Sequence, residues 1–273
     1  MSHPTPARSR GRKPAHGEPV LDRALRLLTV FEGHDGPLSL TLLSTRAGLP
    51  KSTTLRIARQ LVAWGALERT GDGEFVIGLR LLQLATLAPR GHGLRSIAMP
   101  FMEDLHKATG QHVLFAVRDG EHAVLVERLS AHRAGRVDFR VGGRMPLHST
   151  GIGLVLLAHA PAEVQEAVLG ADLVAEDSGR RVDPAELRRT LAQVRQEGTA
   201  VKIRGVPEPM ASVAAPILDA RQHVIAALAV IAPAQSMQPP AMKPAVVAVA
   251  RAISRAVRSS DIALGPGSDG QDS

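Results

Sequence analysis

The 273-residue chain is 44% hydrophobic and 22% charged, which excludes wholesale disorder and supplies a core without disulfide or metal staples. Cysteine is absent, so disulfides, thiolate metal sites, iron–sulfur clusters and cysteine nucleophiles are excluded together. The net charge of +7 is uneven: residues 1–80 carry 12 Lys+Arg against 7 Asp+Glu, the remainder 21 against 19. That is the balance of a polyanion-binding module joined to a nearly neutral one, or of a basic tail kept for solubility.

Residues 1–19 are rich in Pro, Arg, His and Gly and lack the apolar centre of a signal peptide, so a disordered basic tail is expected there. Its Arg8, Arg10, Arg12 and Lys13 either lie along DNA phosphates or are simply solvated. A first helix follows, with Leu21, Ala24, Leu25, Leu28 and Phe31 at helical spacing, closed by Gly33, Asp35, Gly36 and Pro37. Ser39 is placed to cap a second helix over 40–47, and Gly48-Leu49-Pro50 forms a tight turn. A third helix spans 51–64 and ends at Gly65. The period then changes: Leu67 and Arg69, and Glu74 to Ile77, bracket Thr70-Gly71-Asp72-Gly73 as two strands around a hairpin turn. Helix, helix, turn, helix, hairpin is the order of a winged helix-turn-helix, assigned to residues 20–80.

Residues 81–95 are expected to form a linker helix, although Pro89, Gly91 and Gly93 interrupt its pattern. Its Leu81, Leu82, Leu84 and Leu87 would join subunits. Over 96–261 the pattern is mixed: a helix at 97–109, strands at 113–117, 123–129 and 136–141, and helices at 151–160, 162–169 and 184–197, the last with Asp183 before it and Gly198 after. Strands at 200–203, 211–218 and 223–231 and a helix at 246–257 complete it. This is an α+β domain, an antiparallel sheet covered by helices. The uncharged run at 224–232 has the length of a strand, far below the ~20 residues that cross a bilayer. Residues 262–273 read as a disordered tail. A cytoplasmic protein with no membrane partner is expected.

On a helical wheel the third helix puts Thr54, Leu55, Ala58, Leu61 and Val62 on one face. Ser52, Thr53, Arg56, Gln60 and Ala63 fall on the other, with Arg59 at its edge. Arg pairs bidentately with guanine and Gln with adenine, so Arg56 and Gln60 suit a major groove. Ser52, Thr53 and the first-turn amides suit phosphates, and Lys51 adds a point charge. The alternative is that Ser52 caps its helix and the arginines are solvated.

Three segments carry a family resemblance. Val20-Leu21-Asp22-Arg23-Ala24-Leu25, Gly48 through Arg56 (GLPKSTTLR) and residues 71–78 resemble the IclR-type transcriptional regulators. In the second domain, Pro146-Leu147-His148-Ser149-Thr150-Gly151-Ile152-Gly153 resembles that family's effector loop, and 212–219 and 224–233 its core strands. The resemblance covers residues 20–257. It implies a winged helix-turn-helix, a linker helix and a GAF-like effector domain. The implied partners are double-stranded operator DNA and a small organic or aromatic acid, with assembly as a homodimer or dimer of dimers. The wheel supplies the expected DNA-binding residues, Lys51, Ser52, Thr53, Arg56, Arg59 and Gln60, and the resemblance implies an effector pocket. Carried over position by position, that pocket falls on Val137, Met145, Gly151, Ile152, Met210, Ser212, Ala229 and Ile231. The Gly151 and Ile152 amides would hold a carboxylate. Ala229 and Ile231 stand where some members have serines, so the pocket is more apolar than one for a small keto acid. Lys202 either points inward as a counter-charge or outward to solvent.

Other chemistries find little support. His112 and His122, with Glu121 nearby, are candidates for neighbours across a hairpin, but no HxxxH or HExxH spacing occurs. His148 is expected to bond backbone. There is no G-x-S-x-G elbow around Ser149 or Ser212, and the adjacent Glu103 and Asp104 diverge on a helix. No metal, no cofactor and no catalytic set are expected. The alternatives to a ligand-responsive regulator are an enzyme with an appended basic domain and an adaptor whose winged helix binds protein.

Overall fold

The computed structural model describes residues 18–34, 36–131, 134–135, 137–174, 179–204 and 209–260. The expected tails, with Arg8, Arg10, Arg12 and Lys13, lie outside these residues apart from Glu18 and Pro19. The chain divides into two compact units between Gln83 and Leu84.

The first unit contains α1 (Val20–Thr29), α2 (Leu40–Ala47), α3 (Lys51–Trp64), β1 (Leu67–Arg69) and β2 (Phe75–Ile77). Ser39 caps α2 as its sequence position predicts, its Oγ accepting from the Leu42 N–H at 3.3 Å. Gly48, at φ 62°, ends α2 and starts the turn. The helices bury Leu27, Phe31, Leu43, Ile57 and Ala58 against Leu38, Leu67 and Phe75. The antiparallel register Leu67↔Ile77 and Arg69↔Phe75 makes the wing. Leu38 exchanges both backbone bonds with Phe75, at 2.8 and 2.9 Å, and so stitches the α1–α2 connection onto it.

The expected linker helix over 81–95 is not continuous. Helix α4 runs only from Leu79 to Ala85, and a turn of π-helix, Pro89–Gly93, opens α5 (Leu94–Thr109). Pro89 has no N–H to continue the ladder and holds Ala88 extended, at φ −75° and ψ 111°.

The second unit is built on one antiparallel sheet. Its strands are β3 (His112–Asp119), β4 (His122–Leu129), β5 (Arg144–Pro146), β6 (Ala200–Arg204), β7 (Met210–Leu218) and β8 (Val224–Pro233), in the order β5-β4-β3-β8-β7-β6. Helices α6 (Gly151–Ala158), α7 (Ala162–Gly170) and α8 (Pro184–Glu197) share one core with one face of the sheet. Helices α5 and α9 (Pro239–Arg258) share the other. Strands β3, β7 and β8 are therefore covered on both faces, which explains their near-continuous apolar runs.

Two expectations need correction here. Residues 137–140 are irregular, not a strand, and Arg136 lies outside the described residues. The ladder partners of Leu125 are instead the amide of Gly142 and the carbonyl of Gly143, at 2.7 and 3.0 Å, and β5 follows. Helix α9 begins seven residues before the expected 246: Pro239 and Pro240 fall in its first turn, where they cost no helical bond, and the helix continues through Pro244. Among the described residues no helix is long and apolar enough to cross a membrane.

Candidate functional sites: an exposed helix face and an apolar pocket

Helix α3 is two-sided. Thr54, Ile57 and Ala58 are buried, and Leu55, Leu61 and Val62 half-buried. Ile57, omitted from the wheel's core face, is 1% exposed and belongs to it. Lys51, Ser52, Arg56, Arg59, Gln60 and Ala63 are exposed and Thr53 is half-buried. Ser52 is not the cap: the N-cap is Pro50, which offers no side-chain bond. The first-turn N–H groups have no intrahelical acceptor, so this end of α3 is open to an anion. The wing is stiffer than its glycines suggest. Arg69 donates to the Gly73 carbonyl at 3.1 Å and lies 5.9 Å from the Phe75 ring centroid. At the other end of α3, the Arg80 guanidinium sits 4.7 Å from the centroid of the Trp64 ring.

In the second unit a pocket of about 70 Å³ lies between the sheet and the N-terminus of α6. Val137, Met145, Gly151, Ile152, Met210, Ser212, Ala229 and Ile231 all border it, and so do Leu114, Asp138, Phe139, Thr150 and Arg204. Of the residues missed, Leu114 pairs with Ala229 and Arg204 with Met210 across the ladder, so strand register would have found them. Lys202 does not border it. The cation there is Arg204, two residues on and on the same face, with its guanidinium 5.4 Å from the Phe139 ring centroid.

All eight residues of α6 are buried, so its N-terminus opens into protein. Thr150 Oγ1 accepts from the Gly153 N–H at 2.9 Å and donates to the Pro146 carbonyl at 3.0 Å. The Gly151 and Ile152 amides occupy the first turn, where no helical carbonyl can reach them. A Cβ on Gly151 would stand 2.5 Å from Ser212 Oγ, so only glycine lets β7 approach. Ser212 Oγ donates to the Lys202 carbonyl at 3.3 Å. The irregular wall is held by Arg128, whose guanidinium donates to the Val137 carbonyl at 2.8 Å and also to that of Phe139. The adjacent Glu127 pairs with Arg95 of α5.

Among the described residues, His112 and His122 make no shared site. His122 pairs with Asp119 at one end of the β3–β4 hairpin, whereas His112 pairs with Ile231 at the other, so they are not neighbours. His112 Nδ1 accepts from the Ala131 N–H at 3.2 Å and Nε2 lies 3.0 Å from the Gly135 carbonyl, so the ring is held between two backbone groups. His148 Nε2 bonds the Val174 carbonyl at 3.3 Å. Among the described residues no three His, Cys, Asp or Glu side chains cluster as metal ligands.

Residues 20–71 match the IclR helix-turn-helix domain, and residues 87–258 match the bacterial transcriptional regulator IclR C-terminal domain. The glycerol operon regulatory protein of Streptomyces coelicolor is 30% identical over 247 residues, covering 90% of this chain and 96% of its own. The transcriptional repressor IclR of Escherichia coli is 29% identical, over 85% and 89% of the two chains. Among solved structures, an IclR homolog from Microbacterium hydrocarbonoxydans complexed with 4-hydroxybenzoate superposes with a TM-score of 0.83. It is 34% identical, and the match covers 89% of this chain and all of that one.

Proposed function

The chain belongs to the IclR family of ligand-responsive transcriptional regulators, and from that premise we propose how its residues divide the work. Arg56 and Gln60 read base edges in the major groove. Lys51, Ser52, Thr53 and Arg59 neutralise or bond the flanking phosphates. Their joint exposure on one face of α3 supports this reading.

The effector is an acid with an apolar, aromatic body. Its carboxylate accepts from the Gly151 and Ile152 amides, and its body lies against Val137, Met145, Met210, Ala229 and Ile231. The single observation that carries this is the fully buried start of α6 at an apolar pocket, where Thr150 caps the Gly153 N–H and leaves the Gly151 and Ile152 amides to a ligand. The relative complexed with 4-hydroxybenzoate supports the ligand class. The 70 Å³ pocket is about half the ~150 Å³ cavity that takes a benzene ring, so Met145 and Met210 must shift to admit one. The exposed Leu82, Leu84 and Leu87 support assembly as a homodimer or dimer of dimers, whereas Leu81 is half-buried.

Fluorescence anisotropy with the DNA upstream of its own gene, against a shuffled duplex, tests the first half. Calorimetric titration with 4-hydroxybenzoate, and with the neutral 4-hydroxybenzamide as control, tests the second. Equal affinity for both duplexes, or for acid and amide, would overturn the corresponding assignment.

A further inference from the structure

Helix α4 is seven residues long and buries none of them, too little for a helix to persist by itself. Its first residues are instead tied to the end of α3. The Gly78 N–H donates to the Ala66 carbonyl at 2.8 Å, one rung past the β1–β2 ladder. A Cβ on Gly78 would run into the Gly65 carbonyl oxygen, so the backbone that opens α4 lies directly on the residue that closes α3. The Leu79 N–H donates to Glu68 Oε1 at 2.8 Å, an acceptor that its own helix cannot supply.

Arg80 completes the junction. Its stem passes over Gly65, where a Cβ would stand 3.2 Å from the Arg80 Cβ, and its guanidinium reaches the Trp64 ring on the last turn of α3. All of these residues belong to the first compact unit. A backbone bond, a glycine contact, a carboxylate and a cation on a ring thus converge on three consecutive residues, 78–80. Beyond them Leu82 and Leu84 are exposed.

We infer that Trp64, Glu68, Gly78 and Arg80 are positioning residues for operator recognition: they fix the direction in which α4 leaves α3, and thereby the separation of the two α3 helices in a dimer. The inference rests on the assembly through α4 proposed above. Two copies joined through the exposed leucines of α4 hold their α3 helices apart by a distance that depends on this angle. A dimer reads two half-sites only where their spacing matches its own. A loose joint would accept several spacings and lose entropy on ordering at each, whereas a fixed joint selects one spacing before DNA is met. Part of the sequence specificity is therefore carried by residues to which no base or phosphate is assigned.

The test uses the full chain and the segment upstream of its own gene that it protects from nuclease cleavage. Sedimentation velocity first establishes the assembly. Anisotropy then compares the protected segment, the same segment with two base pairs inserted between its half-sites, and one half-site alone. The parent should bind the inserted duplex about tenfold more weakly than the intact one. Trp64→Leu removes the ring without changing the charge. It should weaken binding to the intact segment about threefold, the worth of an exposed cation–π contact, and reduce the insertion penalty by a similar factor. Its affinity for the single half-site should equal the parent's. Arg80→Lys keeps a cation over the ring and should behave as the parent. Gly78→Ala forces the junction apart and should move the preferred spacing; if that variant does not fold, Trp64→Leu still decides. An insertion penalty unchanged in Trp64→Leu overturns the inference, as does a parent indifferent to the insertion. A loss of equal size on the single half-site also overturns it, because the contacts would then only support the fold of α3. A monomer by sedimentation would overturn the assembly reading and this inference with it. A dimer whose variants keep the parent's spacing would overturn this inference alone.

Discussion

The starts of α3 and α6 are assigned the same task with the same backbone chemistry, yet they are built in opposite ways. Both present first-turn amides to an anion. At α3 the cap is a proline with no side-chain bond, and exposed Lys51, Arg56 and Arg59 surround it. At α6 every residue is buried, Thr150 fixes the first turn, and among the described residues the cation bordering the pocket is Arg204. An open helix start in a field of mobile cations suits a polyanion that arrives with its own counterions. A closed one suits a single carboxylate stripped of water, where direction matters more than charge.

The sharpest way to break the contrast is salt. DNA affinity should fall with a log–log slope of roughly −0.9 per neutralised phosphate, approaching a thousandfold between 50 and 200 mM salt for about six contacts. Effector affinity should change by less than about twofold over that range, because buried charges are little screened. Parallel salt series by anisotropy and calorimetry decide it, and similar slopes would erase the distinction.

Next comes Gly151→Ala. The new Cβ meets Ser212 Oγ, so effector binding should weaken by about 1.5–3 kcal/mol, the worth of a charge-assisted bond, with basal DNA affinity unchanged. Adding Ser212→Gly removes the obstructing hydroxyl and should restore part of the loss. Full effector affinity in the single variant would place the carboxylate elsewhere. On the α3 side, Arg56→Ala should cost about 1–3 kcal/mol on the operator and relax discrimination against the shuffled duplex. Unchanged DNA binding would favour the adaptor reading.

Smaller effects refine the comparison through stability. Thr150→Ala removes a cap and should cost about 1 kcal/mol in urea denaturation. Ser52→Ala removes none and should stay within about 0.5 kcal/mol. Equal losses would mean that α3 is capped after all.

The smallest concerns Glu197, which is remote from both helix starts. A hydrogen bond from Lys243, and then one from Gln193, hold its carboxyl below the ordinary carboxylate range. A lowered carboxylate contributes stability above its unfolded pKa and loses it as pH falls through its folded one. Lys243→Met should therefore raise the Glu197 pKa by NMR titration, and any difference in stability from the parent should fade below about pH 4.5. Neither DNA nor effector affinity should move. If either does, the site boundaries drawn above are too narrow.

How much of this was readable in the chain varied with the range of the interactions. The winged helix-turn-helix depends on local signals, Ser39, Gly48, Gly65 and the Gly-rich hairpin, and each stands where its residue type predicts. Ile57 was left off the core face although it lies three residues after Thr54 and four before Leu61, spacing that puts it there. The strand expected at 136–141 failed because the carbonyls of Val137 and Phe139 are taken by the distant Arg128, which no local pattern signals. In the pocket, family resemblance supplied the eight positions, whereas Arg204 required the β6–β7 register, which is set by tertiary pairing. Lys202 was one period of the strand away from the pocket's cation.

The stacking of Arg80 on Trp64 has a practical corollary. The chain has one tryptophan and no tyrosine, so its only strong fluorophore sits on the last turn of α3, beneath a cation from α4. Any event that shifts α4 against α3 changes the quenching of that single indole. The protein thus carries its own label at the contact between α3 and α4, and titrations can be followed there without attaching anything to the molecule.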